Sequence, residues 1–344
     1  MKKWILLFVL LFVGTRADAQ KRGLDIYFVD TEGGAATLIV TPAGESTLID
    51  SGNPGDRDAG RIHRVATQVA HLKQIDNIIC THWHLDHYGG HRPLAKLMPI
   101  KRFYDRGHAG DSNDDPDHFP TLYEAYKEAC DGKTTTVKAG DLITLKAGQG
   151  GPNVELRCII ASKSPIPDKP GAPKNPIAKE FKPLAPDPSD NAKSLGFVLS
   201  FGGWRFLDLG DLTWNMEEKL VEPTNKIGLI DVYQTTHHGL EISNNPVLIK
   251  SVQPRVAIFN NGPRKGGHPD VTKTLRAVPG IQGIWQVHRN VTAGADMNTK
   301  PSMIANMDEK CKGEFIKLSV APDAKSYTVQ IGEHGKPVRY ATRK

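Results

Sequence analysis

The chain has 344 residues, 39% hydrophobic and 24% charged, which leaves room for one large domain with a proper core. Its formal net charge of +6 is mildly basic and compatible with anionic substrates, but no dense Lys/Arg run or aromatic–basic interleaving argues for a dedicated nucleic-acid surface. The four cysteines, Cys80, Cys130, Cys158 and Cys311, are too widely spaced for a CxxC metal motif.

Met1-Lys2-Lys3, an apolar run from Trp4 to Val13 and the small-x-small triplet Ala17-Asp18-Ala19 predict a signal peptide over 1–19, with the mature chain starting near Gln20. The apolar run falls well short of the roughly 20 residues that a membrane span needs. No stable membrane insertion is therefore expected after cleavage, and the protein is expected in the periplasm or secreted. Loss of Lys2, Lys3, Arg16 and Asp18 lowers the charge to about +4. Export permits disulfides. Cys130 and Cys311 lie in polar stretches and form the expected pair, whereas Cys80 and Cys158 sit in apolar segments and read as buried thiols.

Residues 24–30, 35–41 and 46–49 read as a meander of strands. Ile62, Val65, Val69 and Leu72 recur at helical spacing and predict a helix over 58–72. An apolar strand follows at 75–80 and runs into Thr81-His82-Trp83-His84-Leu85-Asp86-His87-Tyr88-Gly89-Gly90. On an extended segment, residues i and i+2 share a face, so His82 and His84 can grip one metal together. If the chain then turns into a helix, Asp86 and His87 swing toward a second metal, and Gly89-Gly90 eases that turn. Imidazole suits zinc, and a carboxylate oxygen also accepts manganese or iron. The competing reading is a solvated histidine-rich loop.

Helices are predicted at 94–98 and 121–130, a polar loop at 105–120, and strands at 137–146 and 154–161. Eight prolines between Ser164 and Asp190 exclude helix and central strand there, and predict a surface loop at 164–190 that walls the metal site. Strands at 194–201 and 204–209 flank Gly202-Gly203 as a hairpin. Asp211 follows Gly210 at a strand end, where its two oxygens can bridge two cations; the alternative is a helix N-cap. A strand over 231–236 ends in His237-His238-Gly239, and His268 sits in Gly266-Gly267-His268-Pro269. One of these late histidines is expected to complete the second metal's shell, and the others to protonate a leaving group or bind substrate. Helices at 246–252 and 270–277, strands at 255–259 and 281–287, and a closing hairpin over 315–331 complete the pattern.

His82-x-His84-x-Asp86-His87 after a strand resembles the HxHxDH motif of the metallo-β-lactamase superfamily. That resemblance implies an α+β, αββα sandwich: two mixed sheets with helices on the outer faces, formed here by a single domain over 20–344. It implies that His82 and His84 hold the first metal, Asp86 and His87 the second, and that Asp211 bridges them, with one of His237, His238 and His268 completing the set. Phe28-Val29-Asp30-Thr31-Glu32-Gly33-Gly34-Ala35, Asn191-Ala192-Lys193-Ser194-Leu195, Thr236-His237-His238-Gly239 and Gly267-His268-Pro269 resemble, in order, four motifs of the competence-type DNA-uptake branch. Leu240 departs from that branch, which carries Ser after His-His-Gly. Asn191 matches an asparagine that stands where many members carry a third histidine for the first metal, which implies a thin shell there or a site of one metal.

The expected activity is hydrolysis by a metal-activated water, with one or two ions of zinc, manganese or iron and with Asp86, His237 and His238 in catalytic roles. The competence-type resemblance favours a phosphodiester, in a small molecule, nucleotide or nucleic acid. The bare signature also admits a lactam, lactone or thioester, and the missing third histidine admits a non-catalytic, metal-stabilised binding protein.

Overall fold

A computed structural model describes residues 22–108 and 114–343; the expected signal peptide at 1–19 lies outside them. Period-two alternation sorts the strand residues between two faces. In β1 (Leu24–Phe28), Leu24, Ile26 and Phe28 enter the layer between the sheets, while Tyr27 packs on the other side, with Phe315 and the first helices. The chain continues through β2 (Thr37–Val40), β3 (Ser46–Ile49), α1 (Asp56–Arg64), β4 (Ile75–Ile79), α2 (Leu85–Tyr88), α3 (His91–Leu97), β5 (Ile100–Asp105), α4 (Phe119–Ala129) and β6 (Thr135–Thr136). The second half supplies β7 (Leu142–Leu145), β8 (Val154–Ala161), β9 (Ser164–Pro165), β10 (Gly196–Phe201), β11 (Trp204–Asp208), α5 (Trp214–Glu218), β12 (Val232–Gln234), α6 (Pro246–Val252), β13 (Val256–Phe259), α7 (Pro269–Arg276), β14 (Gly283–His288) and β15 (Ile304–Asn306). Finally β16 (Ile316–Val320), β17 (Ser326–Ile331) and β18 (Val338–Ala341) return to the first sheet, where β16 pairs antiparallel with β1.

The first sheet runs β18-β17-β16-β1-β2-β3-β4-β5-β6, and the second β15-β14-β13-β12-β11-β10-β8-β7. Both are mixed: β3 to β6 are parallel in one, β11 to β15 in the other. One apolar layer fills the space between them, with Phe28, Ile39 and Ile79 meeting Phe197, Leu199 and Phe206. A second lies between the first sheet and α1, α3 and α4, through Ile62, Leu94 and Tyr126. A third lies between the second sheet and α6 and α7, through Leu248, Val252 and Leu275. The molecule is therefore the expected αββα sandwich.

Several local expectations are corrected. The helix predicted over 58–72 is α1 followed by a wider π-helical turn, Val65–Val69, which keeps Val65 and Ala66 buried. Strand β5 was hidden by Lys101 and Arg102, whose exposed side chains break the apolar run. The hairpin of β16 and β17 does not close the sheet, because β18 pairs outside it. The expected Cys130–Cys311 disulfide does not form: all four cysteines are free. Cys130 ends α4 and donates to the Lys127 carbonyl at 3.4 Å, whereas Cys311 lies 3.3 Å from Asp30. Cys80 and Cys158 are the buried thiols their apolar settings implied.

Residues 164–190 hold only β9 and one 3-10 turn, Ala178–Glu180, and place Ile166, Ile177 and Phe181 on the outer core of the second sheet. The segment ends at Asp190, whose buried carboxylate takes the Arg106 guanidinium through both nitrogens Nε and Nη2 and accepts the Trp83 main-chain N–H at 2.7 Å. This clamp fixes the backbone between His82 and His84 from the segment that leads into β10. Arg106→Ala strips the buried Asp190 of its main counter-ion, so we expect a loss of about 3 kcal/mol in urea unfolding, in the range measured for broken buried pairs. A loss too small to measure would show that the clamp is not holding the strand end.

Candidate metal centre

All the groups of the centre sit at the strand ends of one edge of the sandwich. The backbone after β4 stays extended through Cys80, whose N–H donates to the Tyr104 carbonyl at 2.9 Å. His84 is still extended, and α2 begins at Leu85, so the run makes the strand-to-helix turn that its spacing predicted. Gly89 and Gly90 are required there: a Cβ would meet the Leu85 and Ser51 carbonyl oxygens at 2.3 and 2.1 Å.

Asp50, buried at the end of β3, organises the run. It accepts from the Thr81 N–H and hydroxyl at 2.8 Å each, and lies 2.7 Å from His87 Nδ1. A proton on Nδ1 satisfies that carboxylate and leaves the Nε2 lone pair facing the site, the arrangement that carboxylate–histidine–metal triads use. His87 Nε2 then stands 3.2 Å from Asp211 Oδ2 and 3.6 Å from Asp86 Oδ2.

Asp211 reaches the same point from the other sheet. Gly210, at φ +53°, turns the chain after β11, and its carbonyl accepts the His237 N–H at 2.9 Å. His237 and His238 both adopt φ of 55°, an uncommon conformation for residues with a Cβ. His238 Nε2 lies 3.2 Å from Asp211 Oδ2 and 3.3 Å from Asp86 Oδ2. Asp86, His87, Asp211 and His238 thus offer ligand atoms that all lie within 4.8 Å of one another, and all four residues are buried.

The electrostatics of this point favour a cation. Burial opposes ionisation of Asp211, but His238, His87 and His237 outweigh it and hold the carboxyl well below its usual range. At Asp86 burial is likewise overcome, by His87 and Lys265. Burial would neutralise His87, yet Asp211, Asp50 and Asp86 together raise it. His82 goes the other way, pushed down first by burial and then by His87 and His84. Meanwhile His82 Nε2, His87 Nε2, Asp211 Oδ1 and both nitrogens of His238 are buried without a hydrogen-bond partner. Each such orphan costs about 1–3 kcal/mol, and a cation held between them satisfies several at once. The donor set of two carboxylates and two imidazoles fits zinc, manganese or iron.

The other predicted residues divide. His82 and His84 rings meet edge-on at 4.7 Å; His84 Nε2 lies 2.5 Å from Asp114, and His82, with its ring 4.1 Å from that of His87, stands beside the four-residue cluster without being part of it. His237 flanks it, with Nε2 3.4 Å from Asp211 and 3.5 Å from the Asn191 amide. Its Nδ1 is 3.2 Å from Ser243 Oγ, which donates to the Leu212 carbonyl and so accepts from the ring. His268 is not brought to the cluster. It caps α7 by accepting the Asp270 N–H at 3.3 Å, and its own N–H donates to the Gly239 carbonyl. The Gly266-Gly267-His268 motif instead docks the His238 backbone: Gly267 N–H donates to the His238 carbonyl at 2.9 Å, and a Cβ on Gly266 would meet that oxygen at 2.1 Å.

Two functional residues escaped the sequence reading. Asp50 carries no motif of its own, only the end of a strand. Lys265 places Nζ 2.5 Å from Asp86 Oδ2; a lysine is not a metal ligand type, so nothing in its spacing drew notice.

A family model described as the metallo-beta-lactamase superfamily matches residues 29–258. ComE operon protein 3 of Bacillus subtilis (strain 168) is 27% identical over 207 residues, which are 60% of this chain and 22% of that relative. The chain thus spans about a fifth of the length of that curated relative. Among solved structures, a candidate metal-dependent hydrolase of Parabacteroides distasonis is 15% identical at a TM-score of 0.44, covering 78% of this chain and 93% of its own. CmlA, a diiron β-hydroxylase of Streptomyces venezuelae, is 17% identical at 0.40, covering 77% and 52%. The match over two thirds of the chain falls on the strands and turns that assemble Asp86, His87, Asp211 and His238, and the protein belongs to the metallo-β-lactamase superfamily.

Proposed function

We propose that this chain is an exported, metal-dependent hydrolase of phosphodiester-type substrates. The convergence of Asp86, His87, Asp211 and His238 on one buried point, with unpartnered imidazole nitrogens aimed at it, carries the hydrolase reading. The phosphodiester rests on the four motifs shared with competence-type domains and on the likeness to ComE operon protein 3. Export rests on the 1–19 segment; among the described residues no helix is long and apolar enough to cross a membrane.

A zinc, manganese or iron ion held there would supply Lewis acidity, to acidify a water toward a pKa of about 7 and to polarise the scissile group. The chain's own groups do the rest. Asp86 and Asp211, ionised beside their histidines, would hold the cation and orient the attacking water through their remaining lone pairs. His237, with Nδ1 tied to Ser243, presents Nε2 as an acceptor for a proton at the edge of the cluster. Asn191 offers its amide beside that nitrogen as a hydrogen-bond donor. Lys265 is partly exposed and carries an ammonium in contact with Asp86, which suits it to bind an anionic oxygen of the substrate or the departing oxygen.

On metal-loaded protein, bis(p-nitrophenyl) phosphate should be cleaved in a chelator-sensitive way, with a lactam and a lactone left intact. Turnover of the lactam alone would overturn the substrate class, and tight metal binding with no turnover of any substrate would make the protein a binder. Asp86→Ala should lower kcat/KM by more than ~100-fold, the several kcal/mol that a metal contributes to the transition state. Asp50→Asn should weaken metal binding by about 10–100-fold, as changes behind a ligating histidine do. His268→Ala, which touches no ligand atom, should leave metal affinity unchanged in the same titration; a large loss would return His268 to the ligand set.

A further inference from the structure

A second group of ligand-type side chains lies outside this centre. The end of β1, the end of β14 and the loop before β16 bring together Asp30, His288 and Cys311. Asp30 and His288 are fully buried and Cys311 partly so. Asp30 Oδ1 is 2.9 Å from His288 Nε2, and Cys311 Sγ is 3.3 Å from Asp30 Oδ2 and 3.7 Å from His288 Nε2. A tetrahedral zinc with bonds of about 2.0 Å to N and O and about 2.3 Å to S separates such donors by about 3.3–3.5 Å. The two sulfur separations lie within about 0.2 Å of it, and the nitrogen–oxygen one is shorter and runs to the other Asp30 oxygen.

We propose that Asp30, His288 and Cys311 form a second, structural site for a divalent cation of the zinc type, apart from the catalytic centre. The mixed oxygen, nitrogen and sulfur donors suit zinc over magnesium or calcium, and three protein ligands leave a fourth position for water. Without a cation, burial and the Asp30 charge raise the Cys311 thiol to about 11, so it stays protonated. Binding releases that thiol proton to solvent. Ligation through Nε2 requires the neutral imidazole to carry its proton on Nδ1, a nitrogen buried without a partner, which is a cost that binding must meet.

Arg61 shares the site and has to be accommodated. It donates to Asp30 Oδ2 at 2.9 Å, to the Asp30 carbonyl at 3.3 Å and to Glu32 at 2.9 Å, and stands 3.9 Å from Sγ. With the thiol ionised, Cys311, Asp30, Glu32 and Asp58 balance one divalent ion, Arg61 and Arg57, which also pairs with Glu32 at 2.6 Å, in formal charge. The cation therefore completes a neutral cluster without expelling the arginine, which keeps its bonds to Glu32 and the Asp30 carbonyl.

The placement gives the site a purpose. His288 and Cys311 lie beyond residue 258, where the family match ends, while Asp30 opens the turn that carries Ala35, whose N–H donates to the Asp86 carbonyl at 3.1 Å. A cation there pins the C-terminal part of the chain to the turn that supports a catalytic ligand.

Cobalt(II) separates this site from the catalytic one, because the catalytic cluster contains no sulfur. Titrating the metal-stripped full chain with cobalt should produce a near-ultraviolet thiolate-to-cobalt charge-transfer band that zinc abolishes. Cys311→Ser, checked for its fold by circular dichroism, should lose the band and bind one ion fewer per chain. Absence of the band at saturating cobalt, or equal stoichiometry in the two proteins, would overturn the proposal. Should the variant not fold, the wild-type band and its loss on adding zinc decide the matter alone.

Discussion

Asp50 joins the end of β3 to both ends of the ligand run, through the Thr81 backbone and hydroxyl and through His87 Nδ1. That buried carboxylate does two jobs at once. It fixes where the extended segment leaves the sheet, and it fixes which nitrogen of His87 is free. A ligand histidine with the wrong tautomer presents a proton to a cation, so the geometry of the centre depends on this contact as much as on the ligands. The second sheet answers with positive-φ residues: Gly210 turns freely before Asp211, while His237 and His238 are bent into conformations that only a well-packed surround maintains. The Gly266-Gly267 turn supplies that surround by sitting directly against the His238 carbonyl.

Much of this was legible in the sequence. Alternation and turn residues located most of the strands, and the ligand spacing after β4 announced both the strand end and the helical turn. What escaped was tertiary. Strand β5 carries charged residues on an exposed face, and β18 forms an edge, so neither has an apolar pattern strong enough to read. The Cys130–Cys311 pairing failed because polar flanks say nothing about which surfaces two segments reach. His268 was drawn toward the metal by its motif, yet the glycines before it are what the centre uses. Asp50 became visible only once β3 and β4 were laid side by side, and Lys265 only once the two sheets were, since their roles lie in contacts 37 and 179 residues away in sequence.

The asymmetry of the centre follows from the same packing. The half built from Asp86, His87, Asp211 and His238 is assembled, whereas on the side of His82 and His84 an asparagine stands by His237 and Asp114 holds His84. Carboxylates concentrated around one point, with a lysine already drawn to Asp86, describe a centre that favours a cation at that point.

An anomalous difference map from crystals of the protein grown with zinc tests this most directly. The account predicts a strong peak bonded to Asp86, His87, Asp211 and His238, at about 2.0–2.2 Å from each nearest ligand atom. A map with no peak among those four residues, or with the only peak held by His268, would contradict it.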